Sequence, residues 1–376
     1  MKNAKLFTAL KYFKSNTKQS IILFSTLTIS TSCIYFIFSI ISSMLACTKH
    51  IILLPSEKFS YIETNQQLQM QDEMITKVKA FPEVKKTINS TLSGICFRSI
   101  SAYLDTHVLT IPNPADLNYI ANYINLELSN GRLPIEAKAE AVFHENILKN
   151  LNLKVGDLIT SGTIKTPHLI GDYKIVGSFT GDLIIGIASA PASYNNNSSG
   201  IIVIPKEGKL NAINTKLKSL DPNGTRTLTY SREKSRIEIA TSLPLIIFKI
   251  IGSAILITLS FCISAFSSSI YLKRSEEFGI MHAVGYDKSF ITKLIIKELA
   301  NLTCLAYIFG CAISMAIITI INHFIFSPKG QNLTILTAKG FLGTAATLAT
   351  MFLFAGIPIL RRLTKWNPIS VIERRN

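Results

Sequence analysis

The sequence predicts an α-helical membrane protein with four transmembrane helices and a mixed α/β extracytoplasmic domain between helices 1 and 2. Three observations predict it. Only 16% of the 376 residues are charged, against about 25% in soluble domains, so charge has been thinned somewhere. Four windows are apolar over the length of about 20 residues that a bilayer requires: Ile21 to Ala46, Leu245 to Leu272, Leu299 to Phe326 and Phe341 to Leu360. The stretch 47–243, between the first and second windows, has ordinary mixed composition. The third observation is where the net charge of +16 sits. Residues 48–243 hold 21 Lys and Arg against 18 Asp and Glu, while the remainder holds 18 against 5. That excess clusters at the N-terminus (Lys2, Lys5, Lys11, Lys14, Lys18), in the loop after the second window (Lys273, Arg274, Lys288, Lys293, Lys297) and at the C-terminus (Arg361, Arg362, Lys365, Arg374, Arg375). With four spans all three clusters fall on one side, the positive-inside pattern. The basic charge therefore needs no nucleic acid to explain it. Both termini and the 273–298 loop are expected in the cytoplasm, with 47–243 and 327–340 outside.

Taken in order, residues 1–20 read as a cytoplasmic amphipathic leader, with Leu6, Leu10 and Phe13 at helical spacing among lysines. This pattern suits a helix lying at the interface. Helix 1 (21–46) carries no charge and is too long for the 7–15 residue core of a cleaved signal peptide, so it is read as retained. Within 47–243, "MQDEMITKVKAFPEVKKTI" reads as a helix and a Pro-containing turn, and "LNYIANYINLEL" as a second helix. "AEAVFHENILKNLNL" begins as a strand and continues as a helix. "KVGDLIT", "DYKIVGSF" and "IIVIP" read as strands, "SNGRLP" as a turn and "YNNNSSG" as a polar loop tip. Helix 2 (244–272) holds Lys249 near its start, where the long stem can snorkel to the interface. The 273–298 loop, helix 3 (299–326), a short outer loop (327–340), helix 4 (341–360) and a cytoplasmic tail (361–376) follow. Cys96 is the only cysteine placed clearly in the outer domain, so no internal disulfide framework is expected.

The chain lacks the motifs that carry chemistry. It has no G-x-x-x-x-G-K-[ST], no H-E-x-x-H, no C-x-x-C and no G-x-S-x-G. His107, His144 and His168 have no metal-ligand spacing. No catalytic residue, metal ligand or cofactor is assigned to this chain. The spans carry no Asp or Glu at mid-depth, which disfavours an ion-coupled carrier. Asn301, Asn322 and His323 lie near helix ends.

The loop "RSEEFGIMHAVGYDKSFITKLIIKE" (Arg274 to Glu298) is the exception to this lack of signal. Phe278, Met281 and Val284 recur at i, i+3 and i+6. Gly285 follows as a residue that tolerates φ > 0 at a helix end, and Asp287 can cap the next helix. The pattern is helix, glycine break, helix. It predicts an exposed apolar contact of Phe278, Met281 and Val284, rimmed by Arg274, Glu276, Glu277 and His282 and hinged at Gly285. Small residues in helices 1 and 2 (Ser25, Ser30 and Ser32; Gly252, Ser253 and Ser264) let helix backbones approach in lipid. They mark the expected surface for a second copy.

This loop resembles the cytoplasmic signature of the MacB/FtsX-type ABC transporter permeases in Arg274, Glu277, Gly279, Ile280, Met281, His282, Ala283, Val284, Gly285 and Glu298. Phe278 stands where Ile is commoner, and His282 where Arg or Lys is usual. The outer domain is similar to that family's at Gly131, Arg132, Glu145, Leu153, Gly156, Asp157, Ile175, Val176 and Gly177, and the tail at Asn367, Pro368 and Val371. The resemblance implies a mechanotransmission permease in the bacterial cytoplasmic (inner) membrane. A separate ABC ATPase subunit, holding ATP and Mg, would dock on the 274–285 residues named above. A second permease copy or a paralogue would complete the pair, and a periplasmic adaptor is a further partner of such systems. The expected activity is export or extraction of a peptide, lipid or lipoprotein. Two alternatives stay open at this point. One is a signalling permease of the same fold that regulates a cell-wall hydrolase or senses antimicrobials. The other is a membrane-anchored sensor or structural protein without an ATPase.

Overall fold

The computed structural model describes residues 17–64, 72–100, 103–160, 171–190, 199–220 and 225–364. Most of the expected leader, the tip around Tyr194, His168 and the tail from 365 lie outside the described residues. The chain divides into two compact units.

One unit comprises Ser43–Leu243 and Ile321–Leu333. Its ten strands are β1 (Ser60–Thr64), β2 (Val84–Arg98), β3 (Tyr103–Ile111), β4 (Glu127–Gly131), β5 (Glu140–His144), β6 (Leu158–Ile159), β7 (Tyr173–Thr180), β8 (Gly186–Ser189), β9 (Gly200–Pro205) and β10 (Thr225–Leu228). They form a mixed sheet in the order β10-β1-β9-β2-β3-β8-β5-β7-β4, with β6 also on β7. The 15-residue β2 joins its halves. The first part of β2 pairs antiparallel with β9 (Ile88 opposite Ile202) and the second with β3 (Ile95 opposite Thr106). β9 is the run "IIVIP", buried on both faces as an unalternated apolar strand must be. Helices α3 (Asp72–Lys79) and α6 (Leu210–Lys218) place Val78, Ile213 and Leu217 against Ile62, Ile201 and Val203 of the sheet. Helix α4 (Pro114–Tyr123) is capped by Asn113, whose Oδ1 accepts the Ala115 N–H at 2.9 Å. It buries Leu117 and Ile120 against the middle strands. Helix α5 (Glu145–Leu151) follows β5 directly, and Ile147 and Leu148 join Ile95, Phe97, Val108 and Phe143 in the neighbouring core.

The expected "SNGRLP" turn is partly strand, because Ser129, Asn130 and Gly131 belong to the edge strand β4. Gly131 and Gly177 face each other so closely that a Cβ on Gly131 would lie 2.2 Å from the Val176 carbonyl oxygen. Just beyond, Arg132 holds Glu140 through two hydrogen bonds of 2.7 Å, and the Ile135 N–H donates to the same carboxylate at 3.0 Å. The pairing with Arg132 keeps the Glu140 carboxyl down at about 2.

The other unit comprises the chain up to Ser42, Pro244–Ile320 and Thr334 onward. Its helices belong to α1 (Thr17–Thr48), α7 (Tyr230–Lys273), α8 (Ser275–Ala283), α9 (Lys288–Ile321) and α10 (Ala338–Thr364). The short helix α2 (Leu54–Lys58) follows α1 in the first-described unit. Pro244, inside α7, marks the boundary between units. It removes one N–H from the helical ladder there. Among the described residues three helical stretches are long and apolar enough to cross a membrane: Ser20–Lys58, Tyr230–Ala265 and Lys288–Lys329. α10 has 27 residues, with a shorter apolar stretch at Ala338–Leu353 among the described residues.

Leu23, Leu27 and Ile34 of α1 pack with Ile263 of α7, Leu302 and Ala306 of α9, and Leu348 and Met351 of α10. α1 and α9 meet closely at Gly310, where a Cβ would lie 2.6 Å from the Thr31 Cβ. Ala306, Gly310 and Ser314 recur every four residues on that face, the small-residue spacing that brings membrane helices together. Polar groups of α1 also hold the start of α10: the Tyr35 hydroxyl donates to the Ile335 carbonyl at 2.8 Å and Ser39 to the Thr334 carbonyl at 2.7 Å.

This packing corrects part of the expected surface for a second copy. Ser30 and Ser32 are buried inside a single copy, so α1 spends these small residues on its own bundle. Ser25, Gly252 and Ser264 are half-buried, and Ser253 is exposed.

Candidate functional site

The 274–298 segment is a helical hairpin with a defined stop. α7 ends at Lys273, and Arg274 is the N-cap residue of α8. α8 closes on Gly285 at φ +101°, the left-handed region expected of it. The Gly285 N–H bonds to the His282 carbonyl and the Tyr286 N–H to the Met281 carbonyl, each at 3.0 Å. These two bonds make a Schellman motif, which satisfies carbonyls that the helix end leaves open. His282 adds a third tie, its Nδ1–H donating to the Tyr286 carbonyl at 2.9 Å. α9 then starts at Lys288, with the Phe290 and Ile291 N–H groups bonded to the Asp287 carbonyl.

Phe278 and Met281 are not the exposed contact that helical spacing suggested. They are 2% and 5% exposed and pack on Ile291 and Ile295 of α9, with Tyr286 and Leu294 alongside. The reason is the tight turn at Gly285, which folds α9 back over that face of α8. The apolar groups left on the outside are Ile280, 66% exposed, and Val284, 74% exposed. Glu277 stands three residues before Ile280 and seven before Val284, so the three share one stripe of the helix surface.

Arg274 is likewise no rim residue. It is 7% exposed, and its Nη1 donates to Glu298 Oε2 at 2.6 Å while Nε donates to Glu277 Oε2 at 3.2 Å. Its guanidinium carbon also lies 5.0 Å from the centre of the Phe278 ring. Burial pulls the guanidinium pKa down, but the hydrogen bonds and charges of Glu298 and Glu277 more than offset it and hold it above its ordinary value. Glu298 is 4% exposed. The ion pair thus ties the end of α7 to α9 across 24 residues of sequence. Glu298 was visible as part of the loop motif, yet nothing local in the sequence pairs it with Arg274. The side chain of Glu276 lies outside the described residues.

Among the described residues no cluster of His, Cys, Asp and Glu could hold a metal ion. The hairpin is a stiff, internally cross-linked knuckle with an apolar ridge on its outer face.

Residues 248–368 match the family model described as FtsX-like permease C-terminal. Over those residues the chain is similar to the FtsX-like permeases. That match contains the whole knuckle and agrees with the MacB/FtsX-type resemblance of the loop. The chain is also similar to two solved extracytoplasmic domains. The periplasmic region of MacB from Actinobacillus actinomycetemcomitans is 13% identical, covers 49% of this chain and 94% of its own, and has a TM-score of 0.29. The extracellular domain of YknZ, a noncanonic ABC-type transporter from Gram-positive bacteria, is 10% identical, covers 46% and 99%, and has a TM-score of 0.27. TM-scores this low carry no argument about this chain. A search of curated proteins returned no match.

Proposed function

We propose that this chain is the membrane subunit of an ATP-driven mechanotransmission transporter, which exports or extracts a peptide, lipid or lipoprotein. It spans the inner membrane of a bacterium four times, with both termini and the 274–298 knuckle in the cytoplasm. A separate ABC ATPase, holding ATP and Mg, docks on the knuckle. The FtsX-like domain match supports the class, and the knuckle geometry is the observation that carries the coupling role. Ile280 and Val284 form an exposed apolar ridge on a hairpin whose own core is already filled by Phe278, Met281, Ile291 and Ile295. An apolar ridge left uncovered on a rigid element marks an interaction site. On this reading Phe278, Met281, Arg274 and Glu298 hold the knuckle's shape, while Ile280 and Val284 make the contact and Glu277 orients it.

Two copies, or one copy and a paralogue, pair along α7. This is supported by the exposure in a single copy of Ile246, Ile250, Ile257 and Phe261 on that helix, and by the use of α1's small residues inside its own bundle. A periplasmic adaptor belongs to the same proposal.

The test is purification of the tagged full-length chain in mild detergent with identification of co-purifying chains. Wild type should bring down a protein that carries a P-loop. Ile280→Asp/Val284→Asp should lose it while keeping its helical content, because a charge would be buried without a partner at the interface. If wild type brings down no P-loop protein, or the double variant retains it, the coupling role is wrong.

A further inference from the structure

We infer that the outer loop between α9 and α10 is a latch on the outer domain, with Asn150 as its positioning residue. All of the contacts lie within the unit Ser43–Leu243 plus Ile321–Leu333. The Asn150 side chain sits between two backbones. Its Oδ1 accepts the Arg98 N–H at 2.9 Å, and its Nδ2 donates to the Arg98 carbonyl and to the Lys329 carbonyl, both at 3.0 Å. Gln331 Nε2 donates to that same Arg98 carbonyl. Gly330, at φ +65°, is pressed against α5 so closely that a Cβ there would lie 2.2 Å from the Asn146 carbonyl oxygen. The loop is also braced from within. Asn322 pairs through both side-chain atoms with the backbone of Leu333, at 2.8 and 2.7 Å.

Two features make this a latch rather than a permanent weld. Among the described residues Gln331 Oε1 is buried without a hydrogen-bond partner, and opening would hydrate it, which favours release. The α9 end that carries the loop, Asn322–Phe326, is a π-helical turn. So is Lys49–Leu53 after α1, whose Ile51 enters the outer-domain core. Such turns hold their backbone less tightly than an α-helix and recur at functional sites. While the latch is closed, the loop is held to β2 and α5 of its own unit. The latch does not rest on the permease reading above.

Hydrogen exchange of the full chain in lipid nanodiscs tests it with no ATPase present, so its failure and that of the permease reading are separate events. The amides followed are Gly330, Gln331 and Leu333 in the loop, and Arg98 on β2. Asn150→Asp keeps the acceptor for Arg98 and loses both donors. It should speed exchange of the loop amides about ten-fold, the effect of losing roughly one net hydrogen bond, while Arg98 stays protected. Asn150→Ala should release both sets. Asn150→Gln, which restores an amide, should recover part of the loop protection. If the loop amides exchange at the wild-type rate in both Asn150→Asp and Asn150→Ala, or if Asn150→Asp frees Arg98 as much as the loop, the latch does not exist as described.

Discussion

Replacing Glu298 by Gln keeps the side chain's shape and removes its charge, leaving Arg274 buried beside a weaker partner. Glu277 remains at 3.2 Å, but its side chain is 49% exposed and largely solvated. Removing one member of a buried ion pair costs about 3–5 kcal/mol, and the residual Glu277 contact argues for the lower end, about 3 kcal/mol. The loss should appear as local opening of the hairpin. A cysteine placed at Ile291, which is buried in the hairpin core, reports it through its rate of maleimide modification, read by mass spectrometry on that peptide. Glu298→Gln should raise the rate about 100-fold relative to the Ile291→Cys parent. The double change Arg274→Met/Glu298→Leu should return most of the protection, since an apolar pair of similar volume replaces a buried ion pair at little cost. An increase below about five-fold for Glu298→Gln, which is under 1 kcal/mol, would mean that the pair is solvated and does not hold the knuckle. A double variant as open as the single one would refute the pairing itself.

Three further outcomes are open to measurement, two from the structure and one from the charge asymmetry of the sequence. Gly310→Leu should lower the thermal midpoint of the detergent-purified chain by the equivalent of about 1–3 kcal/mol, because its Cβ would meet Thr31 and the Thr28 carbonyl. Gly252→Leu, with nothing within 4 Å of its Cβ, should leave the midpoint unchanged. His107 is pushed down from 6.5 to about 4 by burial, with Arg236 and Arg226 adding to it. A group whose folded pKa is depressed binds protons less readily when folded, so stability is full above 6.5 and is lost as pH falls toward 4. Circular dichroism melts across that range should show the loss, and His107→Leu should flatten it. Finally, a cysteine at Asn196 should react with an impermeant maleimide in spheroplasts and one at Ser289 should not; the reverse would invert the topology.

Much of the site was legible because its signals are local. The glycine stop at Gly285 and the restart after Asp287 each depend on a few neighbouring residues, and the structure places them as the sequence implies. What was not legible is which side of α8 faces inward. Phe278, Ile280, Met281 and Val284 spread over an arc of about 160° of the helix, so periodicity names an apolar set without naming the members that a neighbour covers. Only the return of α9 over Phe278 and Met281 decides it. The Arg274–Glu298 pair and the burial of Ser30 and Ser32 are hidden for the same reason, since each depends on a helix distant in sequence. The outer domain divides likewise. β5, α5 and β7 follow their local patterns, whereas β4 looks like a turn because its five residues are all exposed and only β7 makes them a strand.

On the permease reading, the knuckle has to do two things that a single apolar face could not do together. It must bind a partner that comes and goes with nucleotide state, and it must pass that partner's movement to the spans without deforming. A loop held to its own helices only through the partner would go slack whenever the partner moved away. Here the stiffness is internal. The Arg274–Glu298 pair, the Schellman stop and the Phe278–Met281–Ile291–Ile295 cluster are all complete in one chain. The contact is external and confined to Ile280 and Val284, whose remaining exposed area could contribute about 1–2 kcal/mol each when covered. That is enough to engage a partner and too little to hold it permanently. Separation of the two roles also fixes how damage should sort. Substitutions at Phe278 or Met281 should unfold the knuckle and weaken docking together. Substitutions at Ile280 or Val284 should weaken docking alone, and a chain in which the two classes behave alike would not be working as a rigid lever.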